Sequence, residues 1–149
     1  MKSYGTLHTL RKLYAGQTLC RILMNTALAN ETIRGRAVDI GGGRSPDYFS
    51  YLQSEDGATI EVSDLSLGSI DFEKDSLPQT SGTVDTVLMC NILEHIYHYA
   101  HILSEARRIL RPNGMIIGFV PFWVGYHPDP HDYFRYTHEA LSKMLAEAG

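Results

Sequence analysis

The chain has 149 residues, enough for one domain with one sizeable core and too few for two ordinary ones. Hydrophobic residues make up 44% and charged residues 20%, the balance of a folded globular protein and not of a disordered one. Asp and Glu outnumber Lys and Arg by 17 to 13, and the resulting net charge of −4 argues against a dedicated duplex-DNA binder. The longest apolar stretch, Met115 to Val124, contains Gly118 and Pro121 and is too short for a membrane span, so no transmembrane segment is expected. No apolar stretch followed by a small-residue cleavage site is visible near Lys2, Arg11 and Lys12, so no secretory signal is expected. Cys20 and Cys90 form neither a metal spacing nor a disulfide framework, which fits a reducing compartment and predicts a cytoplasmic location.

Residues 1–35 lean helical. Leu10, Leu13 and Tyr14, then Leu19, Cys20, Ile22, Leu23, Thr26 and Ala27, recur at roughly helical spacing, with Gly16 between two pieces. From residue 36 to 149 the pattern alternates. Ala37-Val38-Asp39-Ile40 reads as a first strand ending in three glycines, Gly41, Gly42 and Gly43. Ser45-Pro46 predicts a helix start, with Tyr48, Phe49, Tyr51 and Leu52 as its buried face. Thr59 to Val62 is a second strand, Ile70-Asp71-Phe72 a weak third, and Val84 to Cys90 a strong fourth. Its nearly continuous apolar run suits a strand buried on both faces of a parallel sheet. A helix carries Tyr99, Ile102, Leu103, Ala106, Ile109 and Leu110 inward and stops at Arg111-Pro112-Asn113-Gly114. Met115 to Val120 is a fifth strand, and a last helix from near Thr137 turns Leu141, Met144, Leu145 and Ala148 inward. This order predicts a single α/β domain, a Rossmann-like doubly wound, mostly parallel sheet of about five strands behind an N-terminal helical segment.

In such sheets ligands bind beyond the carboxyl ends of the strands, where strand order reverses. Gly41 and Gly43 stand at such an end and let the backbone approach a ligand without a Cβ clash. Asp64 ends the second strand, where a carboxylate can accept from both hydroxyls of an adenosine ribose. A dinucleotide fingerprint wants a third glycine, but Pro46 holds that place and offers no N–H. Asp39, two residues before the first glycine, can receive a ligand's amino group directly or through water. A nucleoside with a cationic amino-acid tail fits these residues better than a dinucleotide such as NAD.

Val38-Asp39-Ile40-Gly41-Gly42-Gly43 resembles the first motif of class I S-adenosylmethionine-dependent methyltransferases. Asp64-Leu65 in Val62-Ser63-Asp64-Leu65-Ser66 is similar to their ribose-binding segment, and Asp71-Phe72, before Leu77-Pro78, to the segment that holds adenine. Asn91-Ile92-Leu93-Glu94-His95 resembles the fourth-strand ending, and Arg108 to Gly114 the turn before the fifth strand. His131-Asp132-Tyr133-Phe134-Arg135-Tyr136-Thr137 resembles a loop of small bacterial methyltransferases, some associated with polysaccharide biosynthesis. The resemblance implies S-adenosylmethionine as cofactor and methyl transfer to a small-molecule or glycan acceptor. A catalytically weak or inactive cofactor-binding module acting through a partner is the alternative. The sixth and seventh strands of the family sheet have no counterpart before Gly149, which leaves the fifth strand as an unpaired edge and predicts a homo-oligomer formed through it. No nucleic-acid partner is expected, because the balance is acidic and no Asn/Asp-Pro-Pro-aromatic motif follows the fourth strand.

Methyl transfer needs an acceptor atom aligned with the S–CH₃ bond and, for a hydroxyl or amine, a general base. His95 and His131 are the candidates, since both belong over the carboxyl ends of the fourth and fifth strands. His95 is either that base or a helix-start histidine ordering its loop. Asn91 either faces the methionine tail or caps the following helix. The resemblance assigns His127, Asp132, Tyr133 and Arg135 to the acceptor pocket, with Arg135 pairing an acceptor carboxylate or phosphate and Tyr133, Phe134 or Tyr136 walling it. His127, Asp129 and His131 on one side of an extended segment lie too far apart to converge, and no metal site is expected in the chain. Arg107, Arg108 and Arg111 form a basic patch at a helix C-terminus, and the N-terminal helices are either a lid over the cofactor or a membrane-surface contact.

Overall fold

The computed structural model describes residues 6–44, 46–64 and 70–149. Two helices come first, α1 (Thr6–Tyr14) and α2 (Leu19–Leu28), separated at Gly16, whose φ of 86° only glycine adopts freely. Thr18 caps α2, its hydroxyl accepting from the Arg21 N–H at 3.2 Å. Among the described residues, six strands follow: β1 (Thr32–Ile33), β2 (Arg36–Ile40), β3 (Gln53–Ser54), β4 (Thr59–Ser63), β5 (Val84–Cys90) and β6 (Leu110–Phe119). Two further helices are α3 (Tyr99–Ile109) and α4 (His138–Ala148). The main sheet has the order β4-β2-β5-β6 with every pair parallel, and β1 and β3 form a separate two-stranded parallel pair.

The side chains of the sheet divide by the two-residue period of a strand. Val38, Ile40, Val87, Met89 and Ile116 face a core completed by Phe72, Leu77, Leu93 and the inner side of α3. Ala37, Leu88, Cys90 and Ile117 face a second core closed by Met24 and Leu28 of α2 and by Tyr48. The central strands are therefore buried on both sides, which explains why β5 reads as a continuous apolar run. Ile102 is fully buried where α3 meets the sheet. Ile102→Ala is expected to cost about 2–5 kcal/mol of unfolding free energy in a urea titration. A loss below that range would mean that α3 is not packed on the sheet as described.

Three expectations are corrected. Residues 70–72 form no strand; the segment is a turn in which the Asp71 carboxylate accepts from the Glu73 N–H at 3.0 Å and pairs with Lys74 Nζ at 2.9 Å. A short side chain that satisfies its own backbone competes with a ladder, and here the local bonds win. The helix expected from Ser45-Pro46 is only a 3₁₀ turn, Asp47–Ser50, and Ser45 lies outside the described residues. In α4, capped by Thr137, residues Leu141, Met144 and Ala148 pack on the core, but Leu145 is exposed.

Two of the three arginines in the basic patch, Arg108 and Arg111, are held in ion pairs, while Arg107 is exposed. Arg108 grips Glu105 with two bonds of 2.7 and 2.8 Å and reaches the carbonyls of Leu77 and Gln79, while Arg111 holds both oxygens of Asp85. These cations fasten loop to helix and strand to strand instead of facing a polyanion. The fifth expected strand is β6, at the end of the sheet order. Its pairing with β5 jumps from Val84↔Leu110 to Thr86↔Met115, so residues 111–114 loop out, with Asn113 at a φ of 66°. Among the described residues, no helix is long and apolar enough to cross a membrane.

Candidate active site

Strand order reverses between β2 and β5, since β4 lies on one side of β2 and β5 on the other. The crevice opens at this point, with Gly41 after β2 and Asn91 after β5 on its two lips. Gly41, at a φ of 83°, donates its N–H to the Ser63 carbonyl at 2.8 Å and so extends the β2–β4 ladder by one bond. Gly43, at a φ of 69°, donates to Asp64 Oδ2 at 2.8 Å. The turn is thus drawn onto the carboxylate that ends β4. Gly42 has a different constraint: a Cβ there would overlap the Asp39 carboxylate and lie 2.7 Å from the Tyr48 hydroxyl.

Asp39 is fully buried beneath this turn. The Tyr48 hydroxyl lies 2.7 Å from both of its carboxylate oxygens. Burial pushes the Asp39 carboxyl up to about 7 against the pull of that hydrogen bond, with the charge of Asp64 adding to the rise. Asp39 does not line either of the two cavities at the crevice, whereas Tyr48 does. The hydroxyl therefore stands between carboxylate and ligand space. Tyr48 is a site residue that sequence reading placed only in a helix face.

The larger cavity, about 900 Å³, is of the size that takes a cofactor. Gly41 to Gly43 and Asp64 form one wall, Asp71 and Phe72 a second, and Ile92, His95 and Tyr97 a third. Leu65 lies outside the described residues. The smaller cavity, about 520 Å³, is bordered by Thr18, Cys20 and Arg21 at the start of α2, by Tyr48, and by Val124 and His127. Arg21 pairs with Asp47 at 2.9 Å and ties α2 to the 3₁₀ turn across this space. The two cavities meet at Gly41, Gly42, Asn91, His95 and Asp129. Asn91 caps no helix: its φ is 55°, its N–H donates to the Phe119 carbonyl at 2.8 Å, and its Nδ2 lies 3.2 Å from the Met24 sulfur. A non-glycine residue held at positive φ beside a cavity is strain that the surrounding structure must maintain.

The 3₁₀ turn Leu93–His95 and the segment 121–137 roof the junction. The Glu94 carbonyl accepts from the N–H groups of Tyr133 and Phe134 at 2.8 and 3.3 Å, which docks the segment on the end of β5. His95 Nδ1 lies 2.5 Å from the His131 carbonyl, and its ring meets the His127 ring edge to face with centroids 5.1 Å apart. His131 thus reaches His95 through its backbone, while its ring lies against Tyr133 beside the larger cavity. Glu94 is completely buried, and burial raises its carboxyl above the ordinary carboxylate range.

Asp132 and Arg135 line neither of the two cavities. They form a two-bond pair at 2.6 and 2.7 Å, and Arg135 also donates to the carbonyls of Val124, Gly125 and Phe134. The guanidinium beside Asp132 holds its carboxyl far below the usual range. Asp132 in turn accepts from the His127 N–H at 2.8 Å. This pair shapes the roof, which explains its i,i+3 spacing outside any helix. Tyr133 lines the larger cavity, and Tyr136 packs against the main core with its hydroxyl 3.3 Å from the Leu93 carbonyl.

Residues 38–118 match the family described as Methyltransferase domain. A protein of Streptomyces fradiae, named as the uncharacterized 37.1 kDa protein in transposon TN4556, is 28% identical over 114 residues, covering 74% of this chain. The chain spans only 31% of that relative's length. A SAM-dependent methyltransferase from Aquifex aeolicus has the same fold, with a TM-score of 0.64, 16% identity and coverage of 93% of this chain and 87% of its own. A chain from the complex between the Trm112 methyltransferase activator and a methyltransferase of Haloferax volcanii matches with a TM-score of 0.54, 18% identity and coverage of 87% and 67%. The family match runs from β2 through nearly all of β6, more than half of the chain, and the chain belongs to the methyltransferase-domain family.

Proposed function

We propose that this chain transfers a methyl group from S-adenosylmethionine to a small-molecule or glycan acceptor. The observation that carries this reading is the pair of joined cavities at the switch point, one floored by the glycine turn and Asp64, the other roofed by the histidine segment. Adenosine occupies the larger cavity, with Asp64 on the ribose hydroxyls and Asp71 and Phe72 at the base. The methionine tail runs past Gly41 and Asn91 toward Tyr48, through which the Asp39 charge is felt by its amino group. The sulfonium then sits at the junction beside His95. There the leaving group is already activated, and the chain's work is alignment, water exclusion and removal of the acceptor proton. The acceptor enters under the roof, between His95, His127 and Tyr133. The free thiols of Cys20 and Cys90 fit a reducing, cytoplasmic setting.

The test is release of S-adenosylhomocysteine from S-adenosylmethionine, followed across panels of phenols, small amines and sugar nucleotides. Turnover with at least one such acceptor supports the reading; turnover only with nucleic acid overturns it. Within the same assay, Arg135→Lys is expected to raise the acceptor KM while cofactor affinity holds, because a lysine cannot hold both Asp132 oxygens and three carbonyls at once. An unchanged KM would separate the roof from the acceptor.

A second reading, a cofactor-binding module that acts through a partner, is favoured by the surface. Trp123 is 92% exposed, and Phe122 and Tyr126 beside it are also exposed, just past the β6 edge. Association of two copies through β6 is the form this takes. A monodisperse monomer at micromolar concentration in sedimentation would contradict it.

A further inference from the structure

Glu94, His95 and His127 bring three ligand atoms within 4.8 Å of one another. Glu94 Oε1 lies 3.7 Å from His95 Nε2 and 3.9 Å from His127 Nε2. Among the described residues, neither carboxylate oxygen of Glu94 has a hydrogen-bond partner, although the side chain is fully buried. A buried carboxylate left without a donor is costly, so something must fill the space it faces.

The outer contacts of the two rings indicate what fills it. His95 Nδ1 points at the His131 carbonyl, and His127 Nδ1 at the Gly125 carbonyl 2.9 Å away and the Asp132 carboxylate 3.4 Å away. Each Nδ1 thus meets a backbone carbonyl, and Nε2 is the ring nitrogen that each histidine turns toward Glu94. Arg135 Nη2 also lies 3.2 Å from His127 Nδ1 while it donates to Asp132 and the Gly125 carbonyl, which fixes the ring from its outer side. Glu94 Oε1 and the two Nε2 atoms thus converge on one small space. Ligands on a tetrahedral zinc ion, at 2.0–2.1 Å from the metal, stand about 3.3 Å apart, so Glu94 Oε1 would close on each imidazole by roughly half an ångström, and rotation of the two rings would complete a seat. Metal-bound histidines commonly have a backbone carbonyl against the ring nitrogen that faces away from the ion, as both rings have here.

We infer that Glu94, His95 and His127 form a two-histidine, one-carboxylate site for a divalent first-row transition ion such as Zn²⁺. His95 and His127 both border the smaller cavity, so the open coordination position faces the junction. An acceptor hydroxyl bound there would be acidified beside the sulfonium, a consequence that rests on the methyl-transfer reading; the ion site itself does not. The expectation that no metal binds rested on His127, Asp129 and His131 along one strand-like segment. The fold instead brings His127 across to the end of β5.

The experiment uses the whole chain, stripped with chelator and titrated with Zn²⁺ by calorimetry and with Co²⁺ by visible absorption. One ion per chain is expected, with a Co²⁺ spectrum of low coordination number. Affinity should fall at least 100-fold in Glu94→Gln, which keeps the side-chain shape, and should be unchanged in His138→Ala on the exposed face of α4. His127→Asn provides the same comparison if Glu94→Gln does not fold by circular dichroism. No saturable binding by the folded wild-type chain overturns the proposal, as does binding that survives both substitutions at full affinity. S-Adenosylmethionine titrated into the stripped chain separates the two readings. Metal binding without cofactor binding leaves the ion site standing and removes the methyl-transfer reading, whereas cofactor binding without metal binding does the reverse.

Discussion

Gly42→Ala is expected to abolish cofactor binding and to lower stability by about 1–3 kcal/mol, the usual range for forcing extra volume into a packed site. Gly42 does not need its glycine for dihedral freedom; it needs the space. The added methyl would enter the volume of the Asp39 carboxylate and press on the Tyr48 hydroxyl. If the carboxylate turns aside, its bonds to Tyr48 break and a buried acceptor is left unsatisfied. If the turn lifts instead, Gly43 leaves Asp64 and that carboxylate loses the bond that aligns it. Either response removes the floor of the larger cavity. Gly16→Ala is the contrast: it strains a φ of 86°, but nothing lies within 4 Å of the new Cβ. That variant should lose only some 1–2 kcal/mol of stability and keep its ligand. Urea unfolding and calorimetry on the two variants make the comparison. Full cofactor affinity in Gly42→Ala would detach the glycine turn from the site.

The second large effect is a pH dependence centred on Asp39. Its carboxyl rises from an ordinary 3.8 to about 7 in the folded chain, chiefly through burial. Between those values the folded state holds a proton that the unfolded state has released, so stability falls as pH rises from about 4 to 7 and levels off above. The displacement is worth roughly 4 kcal/mol. Asp39→Asn can keep a partner for the Tyr48 hydroxyl and removes the titration. At pH 8 the variant should therefore be the more stable protein without ligand. The ligand acts in the opposite direction, because a cationic amino group favours the ionised carboxylate. S-Adenosylmethionine affinity in the wild type should rise as pH passes 7, and Asp39→Asn should bind more weakly with a flat profile. Stability lost for the sake of a charged site is a common trade at functional positions. A wild-type affinity that falls between pH 6 and 8 would contradict this account of Asp39.

Much of this architecture was legible because its signals are local. The two-residue period and buried runs locate β2, β4, β5 and the later part of β6, and the glycine turn with Asp64 follows from its place at the strand ends. The illegible parts depend on what the chain meets in space. Asp71 bonds to its own turn and cancels a strand. Tyr48 is drawn to Asp39 by a partner buried under the glycines, and a 3₁₀ turn suffices to deliver it. Arg135 looks free in sequence because nothing local shows that Val124 and Gly125 will present carbonyls to it. The meeting of Glu94 with His127 needs a long loop to fold back over β5, which no periodicity encodes. The roof was thus recognised as a segment, while the work of its individual side chains was not.

The central claim is that the glycine turn and Asp64 hold an adenosyl ligand. Calorimetric titration of the purified chain with S-adenosylmethionine, S-adenosylhomocysteine and NAD, repeated on Asp64→Asn, tests it most directly. The expected result is one adenosyl ligand per chain, no measurable NAD binding, and an affinity lowered roughly 10- to 100-fold in the variant, as for a lost hydrogen bond to a charged group. A folded wild-type chain that binds NAD in preference, or that binds S-adenosylmethionine equally well with and without the Asp64 carboxylate, would contradict the account.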